Sequence, residues 1–128
     1  MIKKIVFTII FIITLSSCEN KVYYPSEFFL INQCDYTIKV NSSALVRYSD
    51  GNREESISDL VLSGDTLSLR RIKVTDSVNI TDVFTKIEIY KESKLSNVNI
   101  MNIEKWNRNK TSEKKLEFIF EVKPNSFE

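Results

Sequence analysis

The chain has no histidine, two cysteines and only two glycines among its 128 residues. Without histidine, the Ser-His-Asp triad, the Cys-His dyad and His-ligated zinc are excluded, and these are the commonest means of activating a nucleophile or a water molecule at neutral pH. Two glycines cannot build a dinucleotide-binding fingerprint or a phosphate-binding loop. These absences argue against an enzyme, and no metal or diffusible cofactor is expected.

Neither sign of charge predominates: 18 Lys and Arg against 17 Asp and Glu give a formal net charge of +1. A nucleic-acid-binding domain presents a strongly positive field to phosphates, so no nucleic-acid partner is expected. The carboxylates of Glu117 and Glu121 are predicted to share one strand face, with their backbones about 13 Å apart. Catalytic glycosidase pairs are separated by about 5 to 9.5 Å, so both residues are interpreted as solvated.

The longest apolar stretch lies near the N-terminus, at residues 5–15, directly after Lys3 and Lys4. Its eleven residues would span about 16 Å as a helix, roughly half of a bilayer's hydrocarbon core. A basic start, a short apolar segment and small residues before a polar sequence are typical of a secretory signal peptide.

The segment Leu15-Ser16-Ser17-Cys18 resembles the lipobox of bacterial lipoproteins. That resemblance implies cleavage between Ser17 and Cys18 and covalent attachment of fatty acyl groups such as palmitate to Cys18, the only non-protein group expected. A multiply acylated cysteine holds a domain stably on a bilayer, so membrane lipid is the first expected partner. An uncleaved anchor helix and an ordinary signal peptide with a coincidental cysteine are the alternatives.

The predicted organisation is a signal peptide over residues 1–17, a lipidated cysteine and tether over 18–27, and one folded domain over 28–128. The tether shows no sustained hydrophobic period. Cys34 has no expected partner within the chain if Cys18 carries lipid. It is interpreted as a small buried residue, with a reactive thiol or an intermolecular bridge as the alternatives.

Short β-branched and aromatic segments separated by turn residues dominate the domain, and they predict six to eight strands. The clearest strand is the last, in which Leu116, Phe118, Phe120 and Val122 alternate with polar residues and suggest a central position in a sheet. An all-β, immunoglobulin-like β-sandwich is expected, with a small β-barrel as the alternative. Residues 98–106 fit either a helical turn or an irregular edge strand, and residues 107–114 are predicted to form a polar loop.

The arrangement as a whole resembles the small, mostly uncharacterised lipoproteins of Bacteroidota. The shared features are the lipobox, the tether, an opening strand at residues 29–32, a Gly64-Asp65 turn and an aromatic terminal strand. The resemblance implies an outer-membrane location, facing the periplasm or the cell surface, and no specific activity. Asp65-Thr66-Leu67 and Asp76-Ser77-Val78 also resemble the O-glycosylation sites of exported proteins in this group, which implies Thr66 and Ser77 as acceptors.

Three aromatic residues are candidates for contact with a partner: Trp106, Tyr23 and Tyr24. Exposed rings stack on sugars or dock partners, and Trp106 has nearby cations at Lys105, Arg108 and Lys110. For Trp106, however, burial in the core is the favoured interpretation, because a lone tryptophan in a small domain is usually buried. The expected function is a membrane-anchored lipoprotein whose non-catalytic domain binds a protein or glycan partner in the envelope. The alternative is a periplasmic inhibitor or immunity lipoprotein that blocks a hydrolase or toxin.

Overall fold

The computed structural model describes residues 21–111 and 114–128, so the expected signal peptide and Cys18 lie outside the described residues. Within these ranges there are eight strands, one short α-helix and two 3₁₀ helices, at Ile103–Lys105 and Pro124–Phe127. None of the described helices is long and apolar enough to cross a membrane. The elements are β1 Tyr24–Asn32, β2 Ile38–Tyr48, β3 Gly51–Val61, β4 Thr66–Val74, α1 Ile80–Val83, β5 Lys86–Lys91, β6 Lys94–Leu95, β7 Asn107–Lys110 and β8 Leu116–Val122.

The strands form two sheets of four, and the expected β-sandwich is confirmed. Sheet A has the order β4-β1-β8-β7 and sheet B has the order β3-β2-β5-β6. In the described residues the sheets stay separate, so the alternative of a small barrel is wrong. The first and last strands lie side by side at the centre of sheet A, where β1 and β8 run parallel.

The core lies between the sheets and follows the two-residue period of the central strands. On β8, Leu116, Phe118, Phe120 and Val122 are all buried, as the alternation predicts. Phe28 of β1 stacks on Phe118, with ring centroids 4.6 Å apart. Burial of such side chains is the main driving force for folding.

Two element boundaries differ from the predictions. β1 begins at Tyr24, so residues 24–27 of the predicted tether belong to the sheet. Residues 107–110 form β7, an exposed edge strand beside β8, although their polar sequence predicts a loop. Neither segment has the hydrophobic alternation that predicts a strand, although Ser26 and Glu27 are buried. Pairing with neighbouring strands therefore sets the conformation of both segments.

The apolar residues of β4 occupy odd positions at Leu67 and Leu69 but even positions at Ile72 and Val74. In a regular strand these two pairs would lie on opposite faces. A β-bulge at Arg70-Arg71 would reconcile them. The pairing of β1 with β4 shifts between Phe28 and Phe29, and the unpaired residue opposite is Leu69. The bulge is therefore present, one residue earlier than expected.

The β2–β3 hairpin extends beyond the rest of sheet B. Its two-residue turn is Ser49-Asp50, and Gly51 follows with φ +133°, a left-handed conformation that favours glycine. β5 pairs with β2 only at residues 39–43, so among the described strands β3 is the one partner of residues 44–48 of β2. Residues 51–58 of β3 are all exposed.

Asn32, at the end of β1, is fully buried and joins the sheets through its amide group. Its Nδ2 donates to the carbonyl oxygens of Tyr36, at 2.8 Å, and Val61, at 3.0 Å. Its Oδ1 accepts from the backbone N–H of Cys34 at 2.9 Å. One side chain therefore fixes β1, the following loop and the end of β3 relative to one another.

Candidate functional site

Trp106 is buried, with 6% of its surface exposed, and does not present its ring to a partner. Residues 103–105 form a short 3₁₀ helix that directs the ring into the core, so the helical turn is present and the alternative of an edge strand at residues 98–106 is wrong. Nε1 donates to the carbonyl oxygen of Ile100 at 2.7 Å, and the ring packs on Phe28 and Phe120. The interpretation of Trp106 as a partner contact is therefore wrong.

The cations near Trp106 are divided among three environments. Arg108 pairs with Asp76 at 3.3 Å, and Lys110 Nζ lies 4.6 Å from the ring centroid of Tyr24. Lys105 lines an open groove of about 390 Å³ beside β8. These side chains do not converge on one anionic ligand.

Tyr23 is 57% exposed and precedes β1, whereas Tyr24 is half-buried as the first residue of that strand. Tyr24 packs against the core cluster and contacts Lys110. The two rings therefore have different environments, and only Tyr23 offers most of its surface for contact.

Thr66 and Ser77, the expected O-glycosylation residues, are both exposed. Thr66 opens β4, and Ser77 lies in the turn that follows β4. Attachment of a sugar at either residue stays a prediction. Ser17 and Cys18, the expected cleavage and lipidation residues, lie outside the described residues.

Cys34 is buried and free, with Sγ donating to the carbonyl oxygen of Val122 at 3.7 Å. Its exposed fraction is 2%. A thiol in this position is not accessible to reagents from solution, so its environment matches the interpretation as a small buried residue.

A polar face on the outside of sheet B is the strongest candidate site. Across β3, β2 and β5, one row of outward-facing residues is Ser56, Ser43 and Lys86, and the next row is Ser58, Asn41 and Glu88. We refer to these six residues as the polar face. Most of them line an open groove of about 250 Å³.

Asn41 lies at the centre of the polar face. Its side-chain oxygen, Oδ1, is buried and has no hydrogen-bond partner among the described residues. Ser43 and Ser56, one row away, form a hydrogen bond of 2.8 Å with each other. Buried polar groups without a partner are rare in proteins because leaving one unpaired costs roughly 1 to 3 kcal/mol. Asn41 lines the groove, and a rotation of its side chain would present this acceptor to a ligand donor.

The two charged residues of the polar face, Lys86 and Glu88, neutralise each other. Lys86 Nζ lies 3.0 Å from Glu88 Oε1, and the hydroxyl of Tyr90 donates to Glu88 Oε2 at 2.9 Å. The hydrogen bond from Lys86 lowers the pKa of Glu88, and the bond to Glu88 raises the pKa of Lys86, so both are ionised at neutral pH. The pair offers donors and acceptors with little net charge.

Another carboxylate, Glu27, lies on the outer side of sheet A and is only 4% exposed. Ser68 donates to its Oε2 at 2.6 Å, Arg71 contacts the same oxygen at 3.0 Å, and Lys115 lies 3.8 Å from Oε1. The hydrogen bond from Ser68 is the largest influence on the pKa of Glu27, and with the cations it outweighs burial and lowers that pKa. Ser68, Arg71 and Lys115 together satisfy the carboxylate, which indicates a structural role for Glu27.

Sequence reasoning did not find the polar face. Asn41, Ser43, Ser56 and Ser58 look like ordinary solvent-facing positions of strands, and their residue types are common in turns. The available signal was that outward positions on two adjoining strands are small and hydroxylated where long charged residues are more usual. That signal becomes meaningful only with the register that aligns the strands.

Comparison with known proteins adds no further assignment. No protein-family model, no curated protein and no solved structure matches the chain.

Proposed function

We propose that the protein is a lipid-anchored, non-catalytic binding protein of the outer membrane, facing the periplasm or the cell surface, and that its polar face binds a neutral glycan. The lipobox-like segment ending at Cys18 supports the anchor. The observation that carries the binding site is the unpartnered acceptor Asn41 Oδ1, which belongs to a side chain that lines an open groove and would present this oxygen to a ligand by rotating.

The chemistry of the polar face suits sugar hydroxyls, each of which donates and accepts hydrogen bonds. Serine hydroxyls can do both, Asn41 Oδ1 accepts, and Lys86 donates. The compensated pair of Lys86 and Glu88 favours an uncharged polyhydroxylated ligand over a strongly anionic one. Binding sites of this kind use a few positioned polar groups to orient the ligand.

The test is binding of the full chain, purified in detergent, to an array of neutral and acidic oligosaccharides. We expect binding to neutral oligosaccharides, and we expect Asn41→Ala to weaken it about tenfold through loss of one buried hydrogen bond. The matched control is Asn109→Ala, which removes an exposed asparagine from β7 on the other sheet and should leave binding unchanged.

Stability separates this proposal from a purely structural role for Asn41. Removing an unpartnered buried oxygen should leave the free energy of unfolding unchanged or raise it, because no hydrogen bond is lost. A strong loss of stability in Asn41→Ala, or equal glycan binding by this variant and the parent, would contradict the proposal. Capture of a protein by the polar face, with no glycan binding, would also contradict it.

The projecting end of the β2–β3 hairpin favours the second candidate, an inhibitor or immunity lipoprotein. Its tip is ordered by a hydrogen bond from Tyr48 to Glu55 and by Arg53, which lies 4.8 Å from the ring centroid of Tyr48. A preorganised two-stranded projection can enter the cleft of a hydrolase. Tyr48→Ala should then abolish inhibition of the target while leaving glycan binding intact.

A further inference from the structure

The two sheets have four edge strands in the described part of the chain, and three of them have features that prevent further pairing. β4 contains the bulge at Leu69 and three cations, Arg70, Arg71 and Lys73. β6 has two residues and β7 has four. Short length, bulges and positive charge are the devices by which proteins protect sheet edges.

β3 differs from the other edges. Its eleven residues pair with β2 in unbroken register, and it contains neither proline nor lysine, although Arg53, Glu55 and Asp59 lie on its inward side. Among the described residues, no strand pairs with its other side. Ile57 is 52% exposed although its side chain lies on the inward side of sheet B, so this strand extends beyond the cover of sheet A. β3 is therefore open to a further strand.

The charges of β3 complement a second copy of the same strand. In antiparallel pairing over the whole strand, Gly51 faces Val61 and the central residue Ser56 faces itself. Arg53, which pairs with Asp50 at 2.5 Å within one chain, then faces Asp59 of the second copy. Twofold symmetry gives two such ion pairs on the same side of the sheet. Shifting the twofold centre by one residue places Glu55 opposite Asp59 or opposite itself, and like charges in facing positions repel.

We propose that two copies of the chain dimerise by antiparallel pairing of their β3 strands, centred on Ser56. The two four-stranded B sheets become one continuous sheet. The Ile57 side chains of the two copies become diagonal neighbours, close enough for contact, which covers apolar surface that each monomer exposes. Backbone hydrogen bonds supply the association, and the Arg53–Asp59 pairs fix its register.

Cysteine cross-linking tests the register in the full chain. Facing residues of an antiparallel pair have Cα atoms about 4.5 to 5.5 Å apart, within the range of a disulfide. Ser56→Cys should give a disulfide-linked dimer under mild oxidation. Ser58→Cys is the matched control, because symmetry separates its two copies by about 13 Å along the strands. The parent chain controls for Cys18 and Cys34.

Charge reversal tests the pairing without a cross-link, by measuring the dimer dissociation constant in sedimentation experiments. Arg53→Asp and Asp59→Arg each convert both ion pairs into repulsive pairs and should raise the dissociation constant at least about tenfold. The double variant restores opposite charges and should recover most of the affinity. Each variant must unfold at the parent's denaturant midpoint when both are measured at a concentration at which the parent is monomeric, because dimerisation itself stabilises the fold.

The result that would overturn the proposal is a monomeric chain with no cross-link in Ser56→Cys. A cross-link in Ser58→Cys but not in Ser56→Cys would overturn it too, as would single reversals that dissociate like the parent. If β3 binds a different protein and the chain does not self-associate, the homodimer is rejected. Ser56 and Ser58 belong to both the polar face and β3, so glycan binding is tested with Asn41→Ala, which leaves β3 unchanged, and the failure of either proposal is distinguishable from the failure of the other.

Discussion

Replacement of Asn32 by aspartate should destabilise the domain more than any exposed substitution, because it changes the chemistry of a buried group without changing its size. In the native protein the Nδ2 of Asn32 donates to the carbonyl oxygens of Tyr36 and Val61. Asn32→Asp replaces that donor with a carboxylate oxygen facing both acceptors. Each buried acceptor left without a donor costs about 1 to 3 kcal/mol, and burial of the charge adds to this.

The expected loss in the free energy of unfolding at pH 7 is therefore at least about 3 kcal/mol, a large part of the 5 to 15 kcal/mol typical of a domain. Burial and the two carbonyl oxygens would raise the pKa of the new carboxyl in the folded state above its unfolded value. The loss should therefore shrink as pH falls, because the protonated carboxyl can donate one hydrogen bond.

Urea titration followed by the fluorescence of the single, buried Trp106 measures this loss. Asn32→Leu, which is apolar and of similar volume, should also destabilise but without the pH dependence. Asn52→Asp, at an exposed position of β3, is the control and should change stability by less than about 0.5 kcal/mol. An Asn32→Asp variant as stable as the parent at pH 7 would refute the assignment of Asn32 as the link between the sheets.

Other expectations follow from the same packing. Trp106→Ala should cost about 3 to 5 kcal/mol in urea titration, close to the cost of Phe120→Ala, and a loss under about 1 kcal/mol would return Trp106 to the surface. The lowered pKa of Glu27 means that its contribution to stability is complete above its unfolded pKa, about 4.5, and is lost as pH falls through the lower folded value. The gap in urea midpoint between the parent and Glu27→Gln should therefore narrow from pH 7 to pH 3, and a constant gap would reject this role. Cys18→Ala should abolish metabolic labelling with palmitate and release the chain from the membrane fraction, whereas an unlabelled parent would contradict the lipid anchor.

The sequence alone determined the fold class and most of the core. Side chains on a strand point alternately to opposite faces, so the alternation from Leu116 to Val122 identified a buried strand before its neighbours were known. The phase change in β4 also predicted a bulge, because only an extra residue restores one buried face. The Gly64-Asp65 turn was also predictable from local sequence, because glycine adopts positive φ at little cost, and Gly64 has φ +79°.

Tertiary structure decided what depends on partners distant in the chain. Trp106 is directed into the core by a 3₁₀ helix, and no hydrophobic period in the sequence specifies the direction of that helix. β7 forms by pairing with β8, although its own residues have little strand propensity. The polar face and the open edge of β3 depend on the register, which places Asn41 beside Ser58 and, among the described strands, leaves one side of β3 unpaired. Local periodicity determines which side of a strand is buried, whereas the neighbouring strand, and therefore the site, is set by packing between segments far apart in sequence.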